Sequence, residues 1–200
     1  MGYETSERQK SAKRKSAVRE WVESIIVAFL LAMVIRAFIV QAFKIPTGSM
    51  RQTLIEGDLI LVNKFIYGVR VPFTDLRFPA LAEPRRGEVI VFIFPGDRKK
   101  DFIKRLVGLP GDVIEIKSGT IFVNDKPMVT PEFSQRYYYN KGDYAELNKK
   151  ITVPKDCYFV LGDNSASSMD SRYWGFVSRK DLLGKAMVIY WPPNRIRLIK

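Results

Sequence analysis

The chain has 200 residues, 46% hydrophobic and 27% charged, an ordinary globular composition with enough apolar material for a core. It contains no histidine and one cysteine. That excludes Ser-His-Asp and Cys-His catalysis, His-based metal sites, an internal disulfide and a thiolate cluster. The net charge of +12 points to an anionic partner, either nucleic acid or a lipid surface.

Residues 1–20 hold six Lys/Arg and three Glu and read as a basic, polar tail. The cluster Lys10, Lys13, Arg14 and Lys15 abuts an apolar run, while the rest of the excess charge is spread out. This suits a membrane-proximal flank better than a nucleic-acid groove, so the expected partner is the phospholipid bilayer, with no nucleic acid. Residues 25–35 are eleven unbroken apolar residues, preceded by Trp21 as an interfacial anchor. A helix over 21–35 reaches about 22 Å, short of a hydrocarbon core of about 30 Å. Extension through Arg19, Glu20 and Arg36, with long side chains reaching outward, closes most of the gap. An eleven-residue apolar run also has the length of a cleaved leader. No clean small-x-small site follows before Arg36, and cleavage at Val40-Gln41-Ala42 would cut into the next stretch of interest. Residues 21–36 are therefore read as one retained transmembrane helix. Residues 1–20 are expected in the cytoplasm, with the domain 37–200 beyond the outer membrane face.

The next stretch is Phe43-Lys44-Ile45-Pro46-Thr47-Gly48-Ser49-Met50. Pro46 and Gly48 bracket Thr47 and leave Ser49 on a constrained backbone. Two hydroxyls two residues apart suit a nucleophile and its helper, and they equally suit an ordinary turn. Beyond it the pattern alternates with turn punctuation. Strands are expected over 58–67, 88–94, 101–107, 113–116, 120–123, 157–161, 186–191 and 196–199, with a loop over 69–83. The expected fold is mainly β, an antiparallel sheet domain. Residues 127–154 are polar and read as a small insertion folded onto the edge of the core. Their Tyr137-Tyr138-Tyr139 suits a substrate contact, a lipid contact or surface packing. Cys157 reads as a small core residue.

On a strand over 101–107, Phe102, Lys104 and Leu106 share one face and Arg105 points away. A lysine facing inward loses water, which lowers its pKa and makes it a base near neutral pH. On an edge strand the same lysine would block aggregation instead. With no histidine in the chain, Ser49 with Lys104 is the economical catalytic pair. The chain has no Ser-x-x-Lys, Lys-Thr-Gly or Gly-x-Ser-x-Gly, which excludes the penicillin-binding and α/β-hydrolase solutions. The segment 162–175 is dense in hydrogen-bonding groups. Asp170 and Arg172 suit a bracing pair, and Ser168 is a hydroxyl that could orient a neutral lysine. Asp163, Asn164 and Asp170 lack calcium-loop spacing, and no metal or cofactor is expected.

Taken together, the chain resembles the bacterial type I signal peptidases, the leader peptidases. The segments that carry the likeness come in the family's order: 43–50; Gly57-Asp58 through Val62-Asn63-Lys64 and Tyr67-Gly68; Arg86-Gly87-Glu88-Val89; 102–112; and Gly162-Asp163-Asn164 on to Gly175. The resemblance implies a membrane-anchored serine endopeptidase that removes signal peptides from exported preproteins, at the outer face of the cytoplasmic membrane. By that resemblance Ser49 is the nucleophile and Lys104 the general base. The Ser49 backbone N–H and the Thr47 hydroxyl form the oxyanion hole, and Ser168 holds Lys104. Phe43, Ile45, Met50, Leu54, Phe102 and Ile103 line shallow pockets for small side chains, Asp170 and Arg172 are structural, and the enzyme is expected to be monomeric. One departure is Ser165-Ala166-Ser167, where many members carry Arg-Asp-Asn. A self-cleaving repressor is similar in fold and chemistry but would need a DNA-binding domain where this chain has its apolar run.

Overall fold

The computed structural model describes residues 17–38, 40–68 and 79–200. Residues 1–16 of the expected tail and 69–78 of the expected loop lie outside the described residues. The apolar run forms helix α1 (Ala17–Phe38), longer at both ends than 21–35. Trp21, Ile25, Ile26, Val27, Phe29 and Leu30 are each more than half exposed, so no protein core covers them. Among the described residues no helix is long and apolar enough to cross a membrane.

The remainder is mainly antiparallel β structure. The strands are β1 (Val40–Lys44), β2 (Leu59–Asn63), β3 (Val89–Ile93), β4 (Asp101–Gly108), β5 (Val113–Lys117), β6 (Thr120–Val123), β7 (Lys126–Pro127), β8 (Ile151–Thr152), β9 (Cys157–Leu161), β10 (Val177–Ser178), β11 (Leu182–Trp191) and β12 (Arg197–Leu198). Two four-residue helices, α2 (Pro131–Ser134) and α3 (Ser171–Trp174), lie between them. The large sheet runs β1-β2-β11-β3-β4-β9-β10, with β12 paired to β11. A small sheet runs β7-β6-β5-β8.

Both faces of the large sheet are covered. Ile45, Met50, Leu54, Ile60, Val62, Val89 and Val91 pack on one side. Ile90, Phe92, Leu106, Tyr158, Val160 and Leu182 pack in a second cluster. The unbroken apolar run of β3 follows from burial on both faces. Arg105 points away from Lys104, as strand alternation places it, and it points into a second interior where it is buried.

Two strand ends differ by four residues from the sequence pattern. β2 stops at Asn63, not at 67, because the Asn63 side-chain oxygen accepts the Phe65 and Ile66 N–H groups and winds one turn of 3-10 helix over Phe65–Tyr67. β11 starts four residues earlier than expected. Gly184 and Lys185 break its apolar alternation, yet a side chain at Gly184 would run into the Asn63 backbone, and Lys185 pairs with Glu88 at 2.7 Å.

Residues 127–154 do more than cover an edge. Phe133, Tyr138, Ala145, Ile151 and Val153 complete a core with Ile114, Ile116, Ile121 and Val123. These five side chains are scattered through polar sequence, so they show no helical or strand period. Asn124 and Asp125, both in the left-handed region (φ 53 and 63), make the tight turn between β6 and β7.

One feature of the sheet positions the site. β3 pairs with β4 from Asp101 to Arg105, whereas β9 pairs with β4 only from Arg105 onward. Residues 101–104 therefore present a free edge on the β9 side.

Candidate active site

Ser49 lies in a single 3-10 turn, Gly48–Met50, entered through extended Thr47. The turn is tied down from two directions. On one side, Met50 O accepts from Thr53 N and Leu54 N at 3.0 and 2.8 Å, and Ile45 N donates to Asp58 O at 2.9 Å. The Asp58 carboxylate is itself held by Ile55 N and by Arg195. On the other side, Asn164 N donates to Ser49 O at 3.0 Å, and Asn164 Nδ2 donates to Gly48 O at 3.0 Å. The sequence marked this loop as rich in hydrogen-bonding groups but weighed Asn164 only as a metal ligand.

Lys104 Nζ stands 2.7 Å from Ser49 Oγ and 3.0 Å from Ile103 O. The residue is 3% exposed. Its amine lies 5.3 Å from the Phe102 ring centroid, and that ring stacks on Phe94 at 4.3 Å. Burial pushes the ammonium down to about 8, against the weaker upward pull of the Asp170 and Asp163 carboxylates. Neither carboxylate bonds to the amine, because each is already occupied by arginine. Asp163 takes Arg105 through both oxygens, at 2.8 and 2.7 Å, and also Arg136 and the Thr53 hydroxyl. Asp170 takes Arg172 at 2.8 and 2.9 Å.

Thr47 Oγ1 lies 3.5 Å from Ser49 Oγ, on the exposed side of the turn. Ser168 Oγ is buried and has no hydrogen-bond partner among the described residues, so the expected bond to Lys104 is not formed in this conformation. Its position is nonetheless close to the reaction centre. A Cβ added to Gly162 would strike Ser168 and would lie 2.6 Å from Ser49 O.

The six expected pocket residues divide between the two faces. Ile45, Met50 and Leu54 are buried core, with Phe43 and Ile103 packed half-buried against them. Phe102 belongs to the other cluster, beside Lys104 and Trp174. Met50 and Leu54 expose no surface, so they back the site and do not line it. Phe43 and Ile103 have the accessible surface that a ligand contact requires.

Asp170 and Arg172 form a fully buried brace, as the sequence suggested. Arg172 also donates to Ser165 O and Oγ, Ser168 O and Tyr139 O, and Asp170 accepts Gly162 N. Ser165, one of the three departures from the family pattern, therefore serves the brace through its hydroxyl. The Arg105–Asp163–Arg136 cluster was missed. Its one sequence signal was an arginine directly after an inward-facing lysine on a strand.

A serine hydroxyl against a buried amine, on a scaffold without histidine, is the equipment of a serine hydrolase that uses a nitrogen base other than imidazole. The chain belongs to the signal peptidase family, peptidase S26, which matches residues 18–191. It is a serine peptidase. Signal peptidase I of Pseudomonas fluorescens is 35% identical over 211 residues, covering 88% of this chain and 74% of that protein. Signal peptidase I P of Bacillus subtilis subsp. natto is 35% identical over 201 residues, covering 96% of this chain and 98% of that protein. A crystal structure of a signal peptidase I from Enterococcus faecalis V583 is 30% identical, with a TM-score of 0.41, over 52% of this chain and 97% of that one.

Proposed function

We propose that this chain is a membrane-anchored endopeptidase that removes N-terminal signal peptides from exported preproteins, with Ser49 as nucleophile and neutral Lys104 as general base. The observation that carries the proposal is the 2.7 Å approach of Lys104 Nζ to Ser49 Oγ, with no carboxylate bonded to the amine. Neutral Lys104 takes the hydroxyl proton as Ser49 Oγ attacks the scissile carbonyl. The resulting ammonium then donates that proton to the leaving amine, and a water activated by the same amine releases the acyl group. The negative oxygen of the tetrahedral intermediate is placed between the Ser49 backbone N–H and the Thr47 hydroxyl. Ser168 Oγ is buried beside Gly162, next to the Ser49 carbonyl, and we assign it the role of holding Lys104 on Ser49.

The substrate strand is laid along the free edge of β4, with half-buried Phe43 and Ile103 on the side that takes positions −1 and −3 and buried Ile45 behind them. These bulky residues leave room for alanine, and a charged side chain there would lose its water without a partner. Alanine is therefore the preferred residue at −1 and −3.

No described helix is long and apolar enough to cross a membrane by itself, so the assignment of α1 as the anchor rests on its apolar side chains, which are exposed on several sides and which lipid would cover. With that anchor, the basic flank of residues 1–20 favours an N-terminus in the cytoplasm and the domain 37–200 at the outer face. The protein is taken to act as a monomer. The test is cleavage of a purified precursor by Ser49→Ala and Lys104→Met. Each should lose at least about a thousandfold in kcat/KM while remaining folded. Near-wild-type cleavage by folded Lys104→Met would rule out lysine as the base.

A further inference from the structure

The tyrosine triplet has no part in the mechanism above, and the structure divides it. Tyr138 is buried, whereas Tyr137 and Tyr139 are exposed and meet edge to face at 4.9 Å. The backbone of Tyr139 is fixed. Its N–H donates to Ser165 Oγ at 2.9 Å, and its carbonyl accepts from Arg172 Nη1 at 2.9 Å. Lys141 is held over the Tyr139 ring at 5.3 Å and donates to Ala166 O at 3.3 Å. Met169, directly after Ser168, is also more than half exposed. A rigid backbone thus presents two rings, a thioether and an ammonium around the loop 165–169.

That loop touches the nucleophile turn, because the 3-10 segments Ser165–Ser167 and Gly48–Met50 are in contact. The sheet explains why a bound peptide would reach it. A strand added to the free edge of β4 can extend only as far as Lys104, since β9 occupies the same edge from Arg105. The chain beyond the scissile bond must leave the sheet at Ser49, where the segment 162–170 and its outer neighbour Tyr139 stand.

We infer that Tyr139, Met169 and Lys141 contact the first residues of the mature protein, favouring an apolar or aromatic side chain there and disfavouring a cationic one. The inference rests on the reading of Ser49 and the β4 edge given above. Exposed rings and a thioether gain by covering apolar surface. The exposed Lys141 ammonium over the Tyr139 ring gives the surface a positive character that repels lysine and arginine. Tyr139 replaces a surface role with a specificity role, and its exposed ring can be removed without touching the backbone bonds that hold it.

The experiment uses the full chain in detergent and one precursor whose positions +1 to +4 are varied singly to Phe, Gly, Glu or Lys. At one or more of these positions kcat/KM for Phe should exceed that for Lys by about fivefold or more, the size of one modest apolar contact plus a charge repulsion. Tyr139→Ala and Met169→Ala should each shrink that ratio, and Lys141→Glu should raise cleavage of the Lys precursors relative to Phe. A flat series in the wild type, or a ratio that all three variants leave intact, would overturn the inference. Ser49→Ala on the same precursors separates the two claims. Persistent cleavage there would refute the nucleophile, whereas a flat series with an inactive Ser49→Ala refutes only the mature-side contact.

Discussion

β4 carries two buried cations on consecutive residues, and the two faces of the sheet treat them in opposite ways. Arg105, 1% exposed, meets a built counter-charge: Asp163 grips it bidentately, and its remaining N–H groups donate to Thr53 Oγ1, Gly87 O and Lys200 O. Lys104, 3% exposed, meets a serine hydroxyl and one carbonyl. Both were taken out of water, but only the arginine was given a carboxylate. A guanidinium cannot lose its proton, so it must be paired, and pairing makes it a strut. An amine can lose its proton, and burial without a carboxylate favours that form. One strand thus holds a permanent charge for structure and a conditional charge, proposed above as the base, separated by the pleat.

The comparison predicts opposite signs of stability change. Asp163→Ala leaves Arg105 and Arg136 buried without their carboxylate and should cost about 3–5 kcal/mol in denaturant unfolding. Lys104→Met replaces a buried amine by an apolar side chain of similar length. It should be more stable than wild type by roughly 2 kcal/mol at pH 7, while inactive. If both substitutions destabilised equally, the two cations would be equivalent and the distinction would fail.

The sign can be checked against pH. The folded pKa of Lys104, about 8, lies below its ordinary value of 10.5. Between these values the unfolded chain binds more protons than the folded one, so this group makes stability rise with pH from about 8 to about 10.5. The gap between Lys104→Met and wild type should therefore close across that window.

A smaller effect sharpens the same contrast. Ser168 Oγ is buried without a partner, so Ser168→Ala should leave stability unchanged or raise it by up to about 1 kcal/mol. If Ser168 holds Lys104, that variant should still lose activity, through kcat more than KM. Restoration by Ser168→Thr would mark the hydroxyl as the required group. Full activity in Ser168→Ala would remove Ser168 from the mechanism and leave Ile103 O and Ser49 Oγ to hold the amine.

The contrast also explains what could be read before the structure was in hand. Ser49 and Lys104 were legible because the chain has no histidine and because strand alternation puts Lys104 with Phe102 and Leu106. The strand β9 and the brace of Asp170 with Arg172 were legible for local reasons, an apolar run and a short spacing. Arg105 with Asp163 was not, since its members are 58 residues apart and alternation alone sends Arg105 to the opposite face without saying whether that face is wet. The role of residues 127–154 was hidden likewise. Phe133, Tyr138 and Ile151 reach one core from loops, a helical turn and a two-residue strand, and irregular backbone leaves no period in the sequence. The pocket residues were over-read, because apolar character near Ser49 does not separate half-buried Phe43 and Ile103 from the fully buried backing of Met50 and Leu54.

The most direct test of the account is the titration of Lys104 itself, followed by NMR in protein carrying labelled lysine and assigned with Lys104→Met, alongside kcat/KM over the same pH range. The account predicts an apparent pKa of about 8 for Lys104, with kcat/KM rising through the same value as the neutral amine forms. A Lys104 that titrates near the ordinary 10.5, or a kcat/KM that rises at a pH unrelated to it, would contradict the central claim that this lysine is buried unpaired in order to act as a base.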